Sequence, residues 1–148
     1  MTADDVISFL GLQPLPEEGG MFGQHFADPN STAIYFLVRE GDFSALHRLT
    51  GPEVYHFYAG APLQMLLLHP DGRIDRPVLG LELASGQRPA LAVGSGVWQG
   101  SRTTGEWSLV GATMAPGFQE EMFELGDREG LVTAYPDAAT DIDRLTRS

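Results

Sequence analysis

The chain has 148 residues, 43% of them hydrophobic and 20% charged, contains no cysteine, and carries a net charge of −11. A chain of this size can bury one sizeable core without disulfides or structural metal, and the missing thiols exclude disulfide bracing, thiolate nucleophiles and cysteine-based zinc sites. Nine Lys plus Arg against twenty Asp plus Glu repel phosphate backbones and anionic lipid surfaces, so neither nucleic acid nor a membrane is an expected partner.

The opening Met-Thr-Ala-Asp-Asp lacks the basic region and apolar core of a signal peptide, and no later apolar stretch is long enough to span a bilayer. A cytoplasmic address and a single domain over residues 1–148 are the expectations. Thr2 can cap a short helix, with Asp5 three residues later as an imperfect capping box, Val6, Phe9 and Leu10 on one face, and Gly11 as the stop. That helix is expected on the outside or base of the domain. The run Pro14 to Gly20, Pro-Leu-Pro-Glu-Glu-Gly-Gly, supports neither a helix nor a ladder and reads as a structured turn into a strand at Met21 to Phe26.

Further strands are predicted at Thr32 to Val38, Ala45 to Leu49, Glu53 to Ala59, Leu63 to His69, Ala90 to Val93, Val97 to Arg102 and Trp107 to Met114. The punctuators between them, such as Glu40-Gly41-Asp42, Thr50-Gly51-Pro52 and Pro70-Asp71-Gly72, have the composition of tight turns. Many short strands so connected predict an all-β sandwich, jelly roll or barrel. Phe118 to Leu125 and Thr140 to Leu145 read as short helices or irregular cover, and Thr146 to Ser148 as a fraying tail. There is no internal repeat, low-complexity tract or linker.

The densest polar constellation runs from Ser44 to Gly60. Alternation puts His47 on one face with Ala45 and Leu49, and Glu53 on one face with Tyr55 and Phe57, leaving His56 on the other. His47 and Glu53 are therefore expected to share an interior, as a base with its orienting carboxylate or as two ligands of a divalent metal. The structural reading of the same residues is a hydrogen-bonded core histidine, with Glu53 pairing Arg48 or a turn amide. His56 reads as structural.

The spacing of His47, Glu53 and Gly60 resembles the first motif of the cupin superfamily, with Leu49 standing where a second histidine is usual. Val93 to Gly100 resembles the second motif, with Gly94 in place of proline and Gln99 in place of histidine, so two of the usual four metal ligands are missing. More closely, the chain is similar from about Val6 to Pro136 to the cupin-five family. The stretches that carry this are Leu-Gly-Leu at 10 to 12, Pro-Glu-Glu-Gly-Gly at 16 to 20, Ser-Thr-Ala-Ile-Tyr-Phe-Leu at 31 to 37 and Phe-Ser-Ala-Leu-His-Arg at 43 to 48. Glu53 to Gly60, Trp98-Gln99-Gly100, Ala115-Pro-Gly-Phe118 and Tyr135-Pro136 follow in order. The resemblance implies a cupin jelly-roll barrel, commonly dimeric, whose relatives are labelled by analogy as sugar epimerases. It departs from the subgroup at Leu15 and at Gly23, where an arginine is common, and the lost cation weakens any expectation of phosphate or carboxylate binding.

Three functional classes stay open at this point. In an epimerase or isomerase His47 is the base, Glu53 holds its tautomer, Tyr55 or Tyr35 returns a proton, Gln99 orients the substrate, and Phe57 or Trp98 forms a wall. Trp98, next to Gln99, is expected to face outward into core or dimer contact. A non-catalytic module would hold a metabolite in the same pocket. A metal-dependent dioxygenase or decarboxylase would need His47, Glu53, Gln99 and another group such as His25 around a divalent ion, and glutamine is a poor ligand for iron or zinc. No cofactor is expected apart from that divalent metal. The partners expected are a small-molecule ligand and a second copy of the chain, with Met21 and Phe22 at the subunit interface.

Overall fold

The computed structural model describes residues 1–147. The first element, α1 (Ala3–Leu10), begins at Thr2, whose hydroxyl accepts from the Asp5 amide while the Asp5 carboxylate accepts from the Thr2 amide. It ends at Gly11, which takes the left-handed conformation (φ 64°) that stops a helix. Val6 is buried on its inner face, with Ile7 and Leu10 packed beside it, whereas Phe9, expected on that face, is 78% exposed.

Twelve strands follow among the described residues: β1 (Gln13–Pro14), β2 (Met21–Asp28), β3 (Ser31–Arg39), β4 (Ser44–Leu49), β5 (Glu53–Gly60), β6 (Leu63–Leu68), β7 (Ile74–Asp75), β8 (Val78–Leu79), β9 (Ala90–Val93), β10 (Trp98–Thr103), β11 (Trp107–Met114) and β12 (Phe123–Leu125). They form two antiparallel sheets, ordered β1-β2-β3-β11-β5-β9 and β12-β4-β10-β6-β7, with β8 paired to β6. This is the jelly roll that the cupin resemblance implied, and one of the three architectures that strand count and turn chemistry left open. The second sheet is closed by β12, whose Leu125 pairs with His47, where the sequence suggested helix or irregular cover.

Alternation sorts the core into three parts. Between the sheets, Phe36, Val38, Tyr55, Met65, Leu67 and Val110 form the barrel interior with their neighbours. Outside the first sheet, α1 lies over Leu37 and Leu109. Outside the second, α2 (Arg128–Ala134) and α3 (Ala139–Arg144) bury Leu131, Ile142 and Leu145 against Leu46, Leu66 and Leu68. Each helical segment is too short to hold its shape alone, and burying this apolar face is what makes it fold.

The expected fraying after Leu145 does not occur within the described residues. Thr146 is buried and accepts from Arg128 Nε at 2.8 Å, and Arg147 reaches back across the sheet edge to the Pro16–Gly20 turn. Ser148 lies outside the described residues. Within the chain, Met21 packs beside α1 and Phe22 against the barrel core, and both stay half-buried. Among the described residues no helix is long and apolar enough to cross a membrane.

Candidate functional site

Between the two sheets a cavity of about 510 Å³ opens at one end of the barrel, a size suited to a small metabolite. His47 on β4, Glu53 and Tyr55 on β5, and Glu18 on the Pro16–Gly20 turn all line it. Phe22, Phe36, Phe118 and Phe123 supply an aromatic wall.

The His47 ring is held on three sides. Its Nδ1 sits 2.7 Å from the Ala45 carbonyl oxygen; a carbonyl only accepts, so Nδ1 carries the hydrogen and the neutral ring keeps its lone pair on Nε2. Phe123 stacks on the ring at 5.3 Å between centroids. Glu18 Oε1 lies 3.7 Å from Nε2, while Glu18 Oε2 accepts from Ser44 Oγ at 2.7 Å.

Glu53 lies deeper and is 9% exposed. Its Oε1 has no hydrogen-bond partner. Burial pushes its carboxyl up to about 7, and the Glu18 carboxylate adds to the rise, more than His47, Tyr55 and Gln99 offset it. Burial, and then the Glu53 and Glu18 charges, likewise hold the Tyr55 phenol well above its ordinary value, so it stays protonated. That proton is committed: the Tyr55 hydroxyl donates to Gln99 Oε1 at 2.5 Å.

The structure therefore brings together His47, Glu53 and Tyr55 at the cavity, with Gln99 fully buried beneath Tyr55 and not on the wall. It separates the remaining candidates. Tyr35 projects from the outer face of the first sheet, packed at the α1 side with the His25 ring tilted against it at 4.5 Å between centroids, so neither lines the cavity. Phe57 packs against the barrel core without lining the cavity. Trp98 faces the helical cover, with the Arg48 guanidinium 4.5 Å above its ring, and Arg48 pairs with Glu124 rather than Glu53. His56 is on the opposite face from Glu53, with its Nε2 3.1 Å from Thr113 Oγ1.

Glu18 is the residue that sequence reasoning passed over. The turn that carries it depends on backbone conformations with positive φ at Glu17 (66°), Gly19 (96°) and Gly20 (77°). A side chain at Gly19 would collide with the Arg147 guanidinium and the Phe43 carbonyl. Arg147 fixes the turn by donating to the carbonyls of Glu17, Glu18 and Phe43. The Pro-Glu-Glu-Gly-Gly run was itself the signal, since a left-handed turn that aims one carboxylate is what such glycines permit.

The sequence profile of the cupin superfamily family known as domain of unknown function 985, the cupin-five family, matches residues 4–126. The chain belongs to the cupin-five family. A crystal structure from Shewanella oneidensis is 37% identical, with a TM-score of 0.93 and coverage of 99% of this chain and 98% of that one. A hypothetical protein from Leishmania major is 28% identical with a TM-score of 0.88, each chain covered in full. A cupin 2 conserved barrel domain protein from Rhodopseudomonas palustris is 18% identical (TM-score 0.65, coverage 93% and 90%) and is alike in fold. No curated protein matches the chain.

Many cupins hold a divalent metal, but the donors of this cupin do not fit one. His47 offers a single nitrogen, Leu49 stands at the second histidine position, and the Gln99 amide oxygen already accepts from Tyr55. Among the described residues no three His, Asp or Glu side chains converge in a ligating arrangement. What the cupin does present is an imidazole whose Nδ1 is tied to the Ala45 carbonyl and a carboxyl that holds its proton near neutrality, on the wall of one cavity.

Proposed function

We propose that this cupin binds a small carbonyl-containing metabolite and catalyses a metal-independent proton shift on it, with His47 as the base. The observation that carries this reading is the pairing of a lone pair on His47 Nε2, fixed by the Nδ1–H bond to Ala45, with the Glu53 carboxyl, raised to about 7, in one cavity. A base of this kind removes a proton from carbon next to a carbonyl only if the enolate oxygen is stabilised as charge develops there. Protonated Glu53 supplies that hydrogen bond, because its proton is not drawn off by a basic partner.

The balance of the step is simple. On a carbonyl with a hydroxyl on the neighbouring carbon, Nε2 takes the proton of the hydroxyl-bearing carbon, the electron pair forms the carbon–carbon double bond, and the carbonyl oxygen takes the Glu53 proton, which gives an enediol. The neighbouring hydroxyl then gives its proton to Glu53 as it becomes the new carbonyl, and His47 returns its proton to the former carbonyl carbon, so both groups are restored and no oxidant or reductant is consumed. Tyr55 is a poor proton donor here, since its hydroxyl is spent on Gln99. One base on one face favours a shift between neighbouring carbons over epimerisation, which needs a second group on the opposite face.

The test is solvent exchange. Carbonyl metabolites incubated with the protein in deuterium oxide should acquire deuterium at the carbon next to the carbonyl, and His47→Gln should stop it. Binding without any label in the wild type would reject catalysis and leave a metabolite-holding module.

A further inference from the structure

The charge of the cavity wall narrows the ligand. Four glutamates line it in order of depth: Glu17 and Glu120 are exposed at the mouth, Glu18 is half-buried, and Glu53 lies at the bottom. Among the described residues no arginine lines it and His47 is the sole nitrogen base on the wall, and the chain has no lysine. The nearest guanidiniums face elsewhere: Arg147 donates to backbone carbonyls behind the turn, and Arg48 lies over Trp98 outside the barrel.

A second observation is independent of that charge. Glu53 Oε1 is buried, lacks any hydrogen-bond donor and belongs to a side chain lining the cavity. A buried acceptor left unpaired costs about 1–3 kcal/mol, so the site is short of a donor that a ligand would supply. The phenylalanine wall adds ring faces, which attract cations through their quadrupole. Carboxylates with aromatic faces, and no fixed cation, form the surroundings that receive an ammonium group and repel a phosphate or carboxylate.

We propose that the ligand of this cavity is a small organic cation, a metabolite bearing a protonated amine, held by the Glu18 carboxylate and the unpaired acceptor oxygen of the Glu53 carboxyl against the aromatic wall. This rests on the reading of the cavity as the ligand site and specifies what enters it. The acidic mouth draws such a ligand in and excludes nucleotide-linked sugars, whose diphosphate would meet the Glu17, Glu18 and Glu120 carboxylates and no counter-charge.

The experiment uses the purified full chain and three matched sets of probes. Amines (ethanolamine, putrescine, glucosamine), their neutral counterparts (ethylene glycol, butanediol, glucose) and anions (glycolate, succinate, glucuronate) are each added at about 10 mM, enough to stabilise a folded chain that binds with a millimolar Kd. Thermal melting and the NMR signals of the His47 ring are followed together. Amines should raise Tm and move the His47 signals, and the neutral and anionic sets should do neither. Glu18→Gln should weaken the amine response at least about tenfold, whereas Glu124→Gln, on the outside against Arg48, should leave it unchanged. Neutral or anionic probes that match the amines, or no probe moving the His47 signals, overturns the proposal. Binding of glucosamine, the amine probe that has a carbonyl form, without deuterium incorporation at the carbon next to it rejects the isomerase reading and leaves this one standing.

Discussion

Glu18 Oε1 stands 3.7 Å from His47 Nε2, and Ser44 Oγ anchors the other Glu18 oxygen at 2.7 Å. The carboxylate is thus fixed beside the imidazole by a residue three positions before it on the same strand, and position rather than proximity alone defines the pair. Losing the imidazole should silence the site with little effect on the fold. His47→Gln gives up the bond to Ala45 and the stack on Phe123, a cost of about 1–2 kcal/mol, so Tm should fall by only a few degrees while ligand binding and deuterium exchange disappear. Collapse of Tm instead would return His47 to the role of a core residue.

Glu53 makes stability depend on pH in a defined direction. Its carboxyl titrates near 7 in the folded chain and near 4.5 when exposed, so between those values the folded state holds a proton that the unfolded state has lost. Stability falls as pH rises through that window, by about 3 kcal/mol in all, and does not change further above it. Glu53→Gln has no proton to lose. It should be more stable than wild type at pH 8, with the difference gone below pH 4.5, as read from urea midpoints across pH.

The Tyr55–Gln99 bond can be weighed directly. Tyr55→Phe leaves the buried Gln99 oxygen without its donor, which should cost about 1–3 kcal/mol in chemical denaturation. If the phenol were the proton donor of the reaction, the same change would abolish exchange; the expected result is a stability loss with exchange retained.

Gly19→Ala should be among the most damaging small substitutions. The position holds φ at 96°, and a methyl group there meets Arg147 and the Phe43 carbonyl. A loss of ~2 kcal/mol or more is expected, together with a weakened His47 response to ligand because Glu18 moves with the turn. Tm near wild type would show that the turn yields easily.

Metal analysis of protein purified without chelator should find Mn, Fe, Ni and Zn far below one ion per chain. Dialysis against EDTA should leave Tm and ligand response unchanged. A near-stoichiometric metal would bring back the oxygenase class.

Legibility in the sequence followed regularity. The eight longer strands are readable because turn residues bracket β-rich runs; period two puts Glu53 and Tyr55 on one face of β5, while His47, on a strand of the other sheet, meets them only through the packing of the two sheets. Tyr35 was misplaced because Thr-Ala-Ile-Tyr-Phe-Leu-Val is apolar on both faces: Phe36 and Val38 enter the barrel while Leu37 meets α1, and such a run has no alternation to read. Gln99 does point inward, but only coordinates reveal the phenol that covers it. Phe57 has the right parity and lies too far along β5 to reach the cavity. Glu18 sits in a turn with no periodicity, and α2, with Gly130 and Val132 in its body, has little intrinsic helix preference and forms because Leu131 is buried.

The Arg147 contact to Glu18 spans 129 positions of chain. A nascent polypeptide that has emerged as far as Leu125 possesses every strand of both sheets, yet the bracket that steadies the Glu18 loop has still to be synthesised. Maturation of the pocket therefore trails completion of the scaffold, and a protease nick between Leu145 and Arg147 would produce a barrel with normal circular dichroism whose mouth has lost its shape.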